Sequence, residues 1–139
     1  MARAAVLCAV AAALLLGGCG DDGSSEGGES TPAATPASAE YYEAMDELVT
    51  RLDGAVDAAI AGEADAVKRL DGVVRDTRKE LREHEAAGGG ESPAGNLVLT
   101  TAAQARDYAR NGEREGLELI RDVPIGEARD LLKNEAAGG

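Results

Sequence analysis

The chain has 139 residues, enough for one domain of ordinary size, and its 26 acidic residues against 14 basic ones give a formal net charge of −12. A surplus of that size repels phosphate backbones and anionic headgroups, so nucleic acid is excluded as a partner. With one histidine, two cysteines, three tyrosines and neither Phe nor Trp, the chain also lacks the ligand set of a Cys- and His-rich metal centre and the side chains of an aromatic core.

The N-terminus has the three parts of an export signal. Met1, Ala2 and Arg3 form a short positive region, and Ala4 to Leu16 make an uncharged apolar run of thirteen residues. A spanning helix needs roughly 20 apolar residues, so the run is short for a permanent anchor. It ends in Leu16, Gly17, Gly18, Cys19, which resembles the lipobox of bacterial lipoproteins: a Leu three positions before an obligatory Cys, with small residues between. The resemblance covers residues 1–19 and implies cleavage between Gly18 and Cys19, a diacylglyceryl group on the Cys19 sulfur, acylation (palmitate or a similar chain) of the new amino terminus, and a cell membrane location on the extracytoplasmic face. An ordinary secretory signal cut nearby, or an uncleaved anchor, is the alternative reading of the same residues. Two acyl chains suffice for stable attachment at about 0.8 kcal/mol per buried methylene. Cys8 would leave with the leader and Cys19 would carry lipid, so the mature chain is expected to hold no free thiol and no disulfide.

Residues 19–39 come next, and from Gly20 they read GDDGSSEGGESTPAATPASA, without one large apolar side chain. Such a segment cannot bury enough surface to offset the entropy of ordering it, so a disordered tether is expected. Its acids Asp21, Asp22, Glu26 and Glu29 lack the regular ligand spacing and closing glutamate of a calcium loop.

Residues 40–139 are expected to form an all-α domain, a small three- or four-helix bundle. Tyr41, Met45, Leu48, Leu52, Val56 and Ile60 recur in steps of three and four, one buried helical stripe. Thr35 before Pro36, or Ser38 before Glu40, supplies an N-terminal cap, and Gly62 a stop. A second stripe runs through Val67, Leu70, Val74, Thr77 and Leu81 to a GGGESPAG loop. Further helices are expected within residues 96–135. Ser92 before Pro93, or Asn96, caps a third helix with Leu97, Thr101, Ala105 and Tyr108 inward. That pattern either breaks at Asn111 and Gly112 or runs on to Leu119 and Val123. Pro124 suits the first position of a last helix carrying Ile125, Ala128, Leu131 and Leu132.

One octapeptide echoes another. VTRLDGAV at 49–56 returns as VKRLDGVV at 67–74, eighteen residues later and so five helical turns on. Either residues 40–86 form a single rod of roughly 70 Å, or they fold at Gly62 into a helical hairpin. The hairpin is preferred, because folding back buries two stripes that a rod leaves exposed. An Ala-rich seam of this spacing could also serve as a coiled-coil surface.

Catalytic chemistry finds no constellation in these residues. Acyl transfer through Ser or Cys needs a base within reach, and the one histidine, His84, belongs to the last turn of a helix, where a cation favours the helix dipole. A dimetal bundle asks for two Glu-x-x-His motifs, and Leu81 stands where His84 would need a glutamate. No catalytic residue, metal or cofactor is assigned, and the chain is read as not an enzyme. The one pointed feature is Arg75, Arg78, Lys79 and Arg82, a basic stripe at helical spacing with Asp76, Glu80, Glu83 and Glu85 interleaved. Most such stripes are ion-paired surface. The alternative makes it a docking face for an acidic partner in the cell envelope or for self-association. The expectation is therefore a lipid-anchored adaptor or spacer that binds protein, with a small-ligand or metal-binding lipoprotein as the second choice.

Overall fold

The computed structural model describes residues 39–138, so the leader, Gly18 and Cys19, the linker and the caps expected from Thr35 or Ser38 lie outside the described residues. Within them are five α-helices and no strand: α1 Ala39–Ile60, α2 Ala66–Ala86, α3 Pro93–Asn111, α4 Arg114–Asp122 and α5 Pro124–Ala136. None is long and apolar enough to cross a membrane.

α1 is the organising helix, in contact with each of the other four. Its stripe of Tyr41, Met45, Leu48, Leu52 and Val56 is buried, widened by Val49 and Ala55. Each fully buried Leu or Met removes enough apolar surface from water to contribute about 1.5–3 kcal/mol. Tyr41 is the one aromatic ring in a core otherwise built from Leu, Val, Ile, Met and Ala.

α1 stops where the sequence offers Gly62. With φ at +76° this residue takes the left-handed conformation that costs other residues a Cβ clash. The Gly62 and Glu63 N–H groups donate back to the carbonyls of Ala59 and Ala58 at 3.1 and 2.9 Å. The chain turns and α2 packs along α1, so residues 40–86 form the hairpin and not the rod. Leu70, Val74 and Thr77 are buried as expected, together with Ala66 and Val73, while Val67 and Leu81 are half-buried.

The two octapeptides do the same work in opposite directions along the hairpin. Leu52 and Leu70 are both fully buried, as are Val56 and Val74 within a few percent. Asp53 accepts a hydrogen bond from Arg129 Nη2 of α5 at 2.7 Å, and its counterpart Asp71 accepts from Arg110 Nη2 of α3 at 2.9 and 3.0 Å. One sequence pattern thus seats two helices, each with a leucine inward and a carboxylate clipped to an arginine of the helix beside it.

The later helices decide between two pairs of alternatives and correct two expectations, the inward positions of Leu97 and Tyr108 and the burial of Leu131. α3 begins at Pro93 and not at Asn96. The Ser92 hydroxyl accepts the Gly95 N–H at 3.0 Å, and Pro93 takes a first-turn place where no N–H is needed. The buried stripe is then Ala94, Val98, Thr101, Ala102 and Ala105, with Leu97 and Tyr108 only half-buried. The pattern does not run on to Leu119: Gly112 closes α3 at φ +72°, and α4 restarts in a new phase. Leu117 and Ile120 turn inward, which leaves Leu119 61% and Val123 46% exposed. In α5, Ile125, Ala128 and Leu132 are buried, and Leu131 falls at the edge of the stripe and is exposed. Pro124 does occupy the first turn of α5, which ends at Ala136.

Candidate functional site

The basic stripe lies on the C-terminal half of α2. Residues 75, 78, 79 and 82 are spaced by three, one and three, so they share one side of the helix, and all four are exposed. Two of them are engaged. Arg75 Nε donates to Asp76 Oδ1 at 2.9 Å, and Lys79 Nζ reaches Glu83 Oε2 at 3.2 Å and Glu80 Oε1 at 3.5 Å. The Glu83 hydrogen bond, helped by the charges of Glu83 and Glu80, holds the Lys79 ammonium above the usual lysine range. Asp76 also accepts from Arg51 Nη2 of α1 at 2.8 Å, and that bond, with the one from Arg75, lowers its carboxyl below the usual range.

Arg78 and Arg82 form no ion pair among the described residues. The helix that flanks them, α3, offers none: from Pro93 to Ala105 it carries no acidic side chain, and its exposed positions there include Asn96, Thr100 and Gln104. The α2–α3 register is set by Leu81 packing on Gly95 and by Asp71 reaching Arg110. It brings Arg78 and Arg82 level with Thr100 and Asn96. In a chain of net charge −12 this strip is locally positive.

The other end of the stripe runs into an aromatic clasp. The His84 imidazole stacks on the Tyr41 ring with centroids 4.0 Å apart and an interplanar angle of 19°. The backbone of Gly89 also lies against this imidazole, so close that any Cβ there would overlap the ring. His84 thus joins α1 to the loop after α2, a packing role. A cleft of about 440 Å³ opens beside it, lined in part by Leu81, Glu85, Glu91 and Ser92. Ser92, at 5% exposure, donates its hydroxyl to Glu135 Oε2 at 2.9 Å, and the other Glu135 oxygen accepts the Ala94 N–H at 2.8 Å. Glu135, from the last turn of α5, therefore caps the first turn of α3. Burial raises the Tyr41 phenol above the ordinary tyrosine value.

A second concave place lies on the seam between α1 and α2. Tyr41 meets His84 and Arg51 meets Asp76, a register that sets Gly54 level with Gly72, and both line a trough of about 500 Å³ floored by Ala55 and Val73 and rimmed by Arg51, Lys68, Arg69 and Asp65. Arg69 is held by Asp65 at 2.9 Å and Glu63 at 3.0 Å.

Sequence spacing alone places the four basic residues on one face. It does not show that Arg78 and Arg82 meet no acid among the described residues, because that depends on which side chains lie across the α2–α3 seam; the partners of Arg75 and Lys79 are on α2 itself. The Tyr41, His84 and Gly89 clasp joins residues more than forty positions apart and leaves no local pattern; the glycine run after a helix end is the only hint of a close approach. Among the described residues no group of three or more His, Cys, Asp or Glu side chains stands close enough to hold a metal ion. No protein-family model, no curated protein and no solved structure matches the chain.

Proposed function

We propose that the chain is a non-catalytic lipoprotein of the cell envelope, anchored through Cys19, whose helical domain docks another protein on the α2 stripe. The observation that carries the docking is the pair Arg78 and Arg82, exposed and without an acidic partner among the described residues, beside a flank of α3 that carries no acid. Guanidinium groups without a carboxylate keep their donors for a carboxylate from outside, and two of them one turn apart match acids at helical spacing on a partner. The anchor rests on Leu16, Gly17, Gly18 and Cys19. Its lipid confines the domain to the membrane, which raises the effective concentration for any partner held there.

Two measurements test this reading. Mass spectrometry of the mature amino-terminal peptide is expected to find a diacylglyceryl group on Cys19, and an unmodified cysteine or an uncut leader would remove the anchor. Crosslinking in intact membranes, repeated with R78A/R82A, is expected to lose the partner captured by the wild type. Capture of the same partner at the same yield by the variant would take the docking function away from the stripe.

A further inference from the structure

We infer that Asn111 is a site of self-modification: in the folded chain the Gly112 backbone nitrogen attacks its side-chain amide, ammonia leaves, and the position ages to aspartate and isoaspartate. The site is independent of the α2 stripe and of Cys19. Among the described residues an Asn or Asp precedes a glycine at Asp53 before Gly54, Asp71 before Gly72 and Asn111 before Gly112. Such pairs cyclise readily because glycine has no side chain to obstruct the ring. The fold shields the first two and leaves the third open.

Asp53 and Asp71 stand in the interiors of α1 and α2. There the N–H of the following glycine is committed to the carbonyl four residues back, and closing the ring would break the helix in its middle. Their carboxylates are also pinned, Asp53 to Arg129 at 2.7 Å and Asp71 to Arg110 at 2.9 and 3.0 Å. A carboxylate anion is in any case a poorer electrophile than an amide.

Asn111 differs in each respect. It is exposed and ends α3. Its carbonyl is therefore one of the four that a helix end leaves without an intrahelical partner, and its ψ can turn without breaking bonds in the helix interior. The Gly112 N–H reaches the Ala109 carbonyl at 3.4 Å, beyond the usual range of about 2.7–3.2 Å. The leaving nitrogen is oriented as well: Asn111 Nδ2 donates to Glu113 Oε1 at 3.1 Å, a bond that spans the intervening Gly112. Asn96 and Asn134 lie within α3 and α5 and precede Leu97 and Glu135, so helix and side chain both hinder the same attack there.

The Gly112 amide proton passes to solvent as its nitrogen bonds Asn111 Cγ. The Cγ–Nδ2 bond then breaks, and ammonia departs with a proton from solvent, which leaves a five-membered imide. Solvent water opens the imide at the side-chain carbonyl to give aspartate, or at the backbone carbonyl to give isoaspartate, so one water is consumed for each ammonia released. Either product places a carboxylate at the α3 C-terminus, where negative charge is disfavoured, and beside the Glu113 carboxylate. Isoaspartate also adds an atom to the backbone of the turn, where the Glu113 N–H donates to the Tyr108 carbonyl at 2.9 Å. α4 hangs on this turn, with Gly116 so close to the Tyr108 ring that any Cβ would overlap it. A displaced turn disturbs that contact and loosens α4.

Peptide mapping by mass spectrometry tests the inference on the full-length product as the cell processes it, incubated for weeks while circular dichroism shows it folded. Conversion at position 111 is expected to exceed that at Asn96 and Asn134 at least tenfold, to quicken as pH rises, and to vanish in Asn111→Gln, whose longer side chain closes a less favourable ring. No isoaspartate is expected at Asp53 or Asp71 until urea removes the helices. In the isoaspartate form, separated by its extra charge, α4 amides are expected to exchange hydrogen at least tenfold faster than in the unconverted protein. An Asn111 that stays an amide in the folded chain, isoaspartate forming as fast at Asp53 or Asp71 as at position 111, or α4 exchange unchanged by conversion would overturn the inference.

Discussion

The imidazole of His84 and the phenol ring of Tyr41 lie nearly parallel, centroids 4.0 Å apart, and tie the start of α1 to the end of α2. Gly89 lies against the same imidazole without room for a methyl group, so three residues from three segments meet at one ring. Replacing Gly89 by Ala forces the ring aside, and overpacking of this kind costs about 1–3 kcal/mol. Removing the ring with His84→Ala costs about 1 kcal/mol. The double variant is expected to lose less than the two single losses added together, because an Ala at 89 has nothing to strike once the ring is gone. Urea unfolding midpoints of the four proteins check this, and strict additivity would refute the stack.

Alkaline pH reads the same clasp from its other member. Burial raises the Tyr41 phenol above its ordinary value of 10.0, so the folded chain holds that proton more tightly than the unfolded one. The resulting stabilisation is complete below pH 10 and is lost as pH rises from there through the folded value. Stability measured across this range is expected to fall, and Tyr41→Phe is expected to fall less steeply. Equal slopes for the two proteins would show that the Tyr41 hydroxyl makes no contribution.

Glu135 spans the bundle, with one oxygen on the Ser92 hydroxyl and the other on the Ala94 N–H, residues 43 and 41 positions away. Glu135→Ala strands two donors at a buried helix start, at a cost of about 2 kcal/mol. Glu135→Gln keeps one acceptor oxygen and is expected to recover part of that loss. Thermal unfolding of the three proteins orders them wild type, Gln, Ala; an Ala variant as stable as the wild type would show that water replaces the carboxylate.

Thr77 runs the other way. Its side chain is fully buried and its Oγ1 has no hydrogen-bond partner among the described residues. Thr77→Val has nearly the same shape and no hydroxyl to desolvate, so it is expected to stabilise the domain by about 1 kcal/mol. A loss of stability on calorimetry would mean that the hydroxyl is satisfied in solution.

Much of the helical order is legible from residue spacing. The steps of three and four from Tyr41 to Val56 and from Leu70 to Thr77 identify inward faces because burial of a helix repeats every 3.6 residues. Gly62, Ser92 and Pro124 mark boundaries through backbone chemistry that is local. The same period puts Arg75, Arg78, Lys79 and Arg82 on one side of α2 without reference to anything else in the molecule. Where the period is ambiguous, spacing fails: Leu119, Val123 and Leu131 all belong to plausible stripes, yet α4 and α5 each bury a different phase.

What the order of residues determines by itself, then, is the helices, their buried sides and the run of positive charge, because each depends on neighbours within a turn or two. What only the tertiary structure decides is which groups meet across seams: that the echoed octapeptides oppose each other in a hairpin, that Asp53 and Asp71 each clip a different helix, and that His84 meets both Tyr41 and Gly89. It also decides that Arg78 and Arg82 form no ion pair among the described residues. Those outcomes depend on distances between segments far apart in the chain, which are set when the whole apolar core closes and not before.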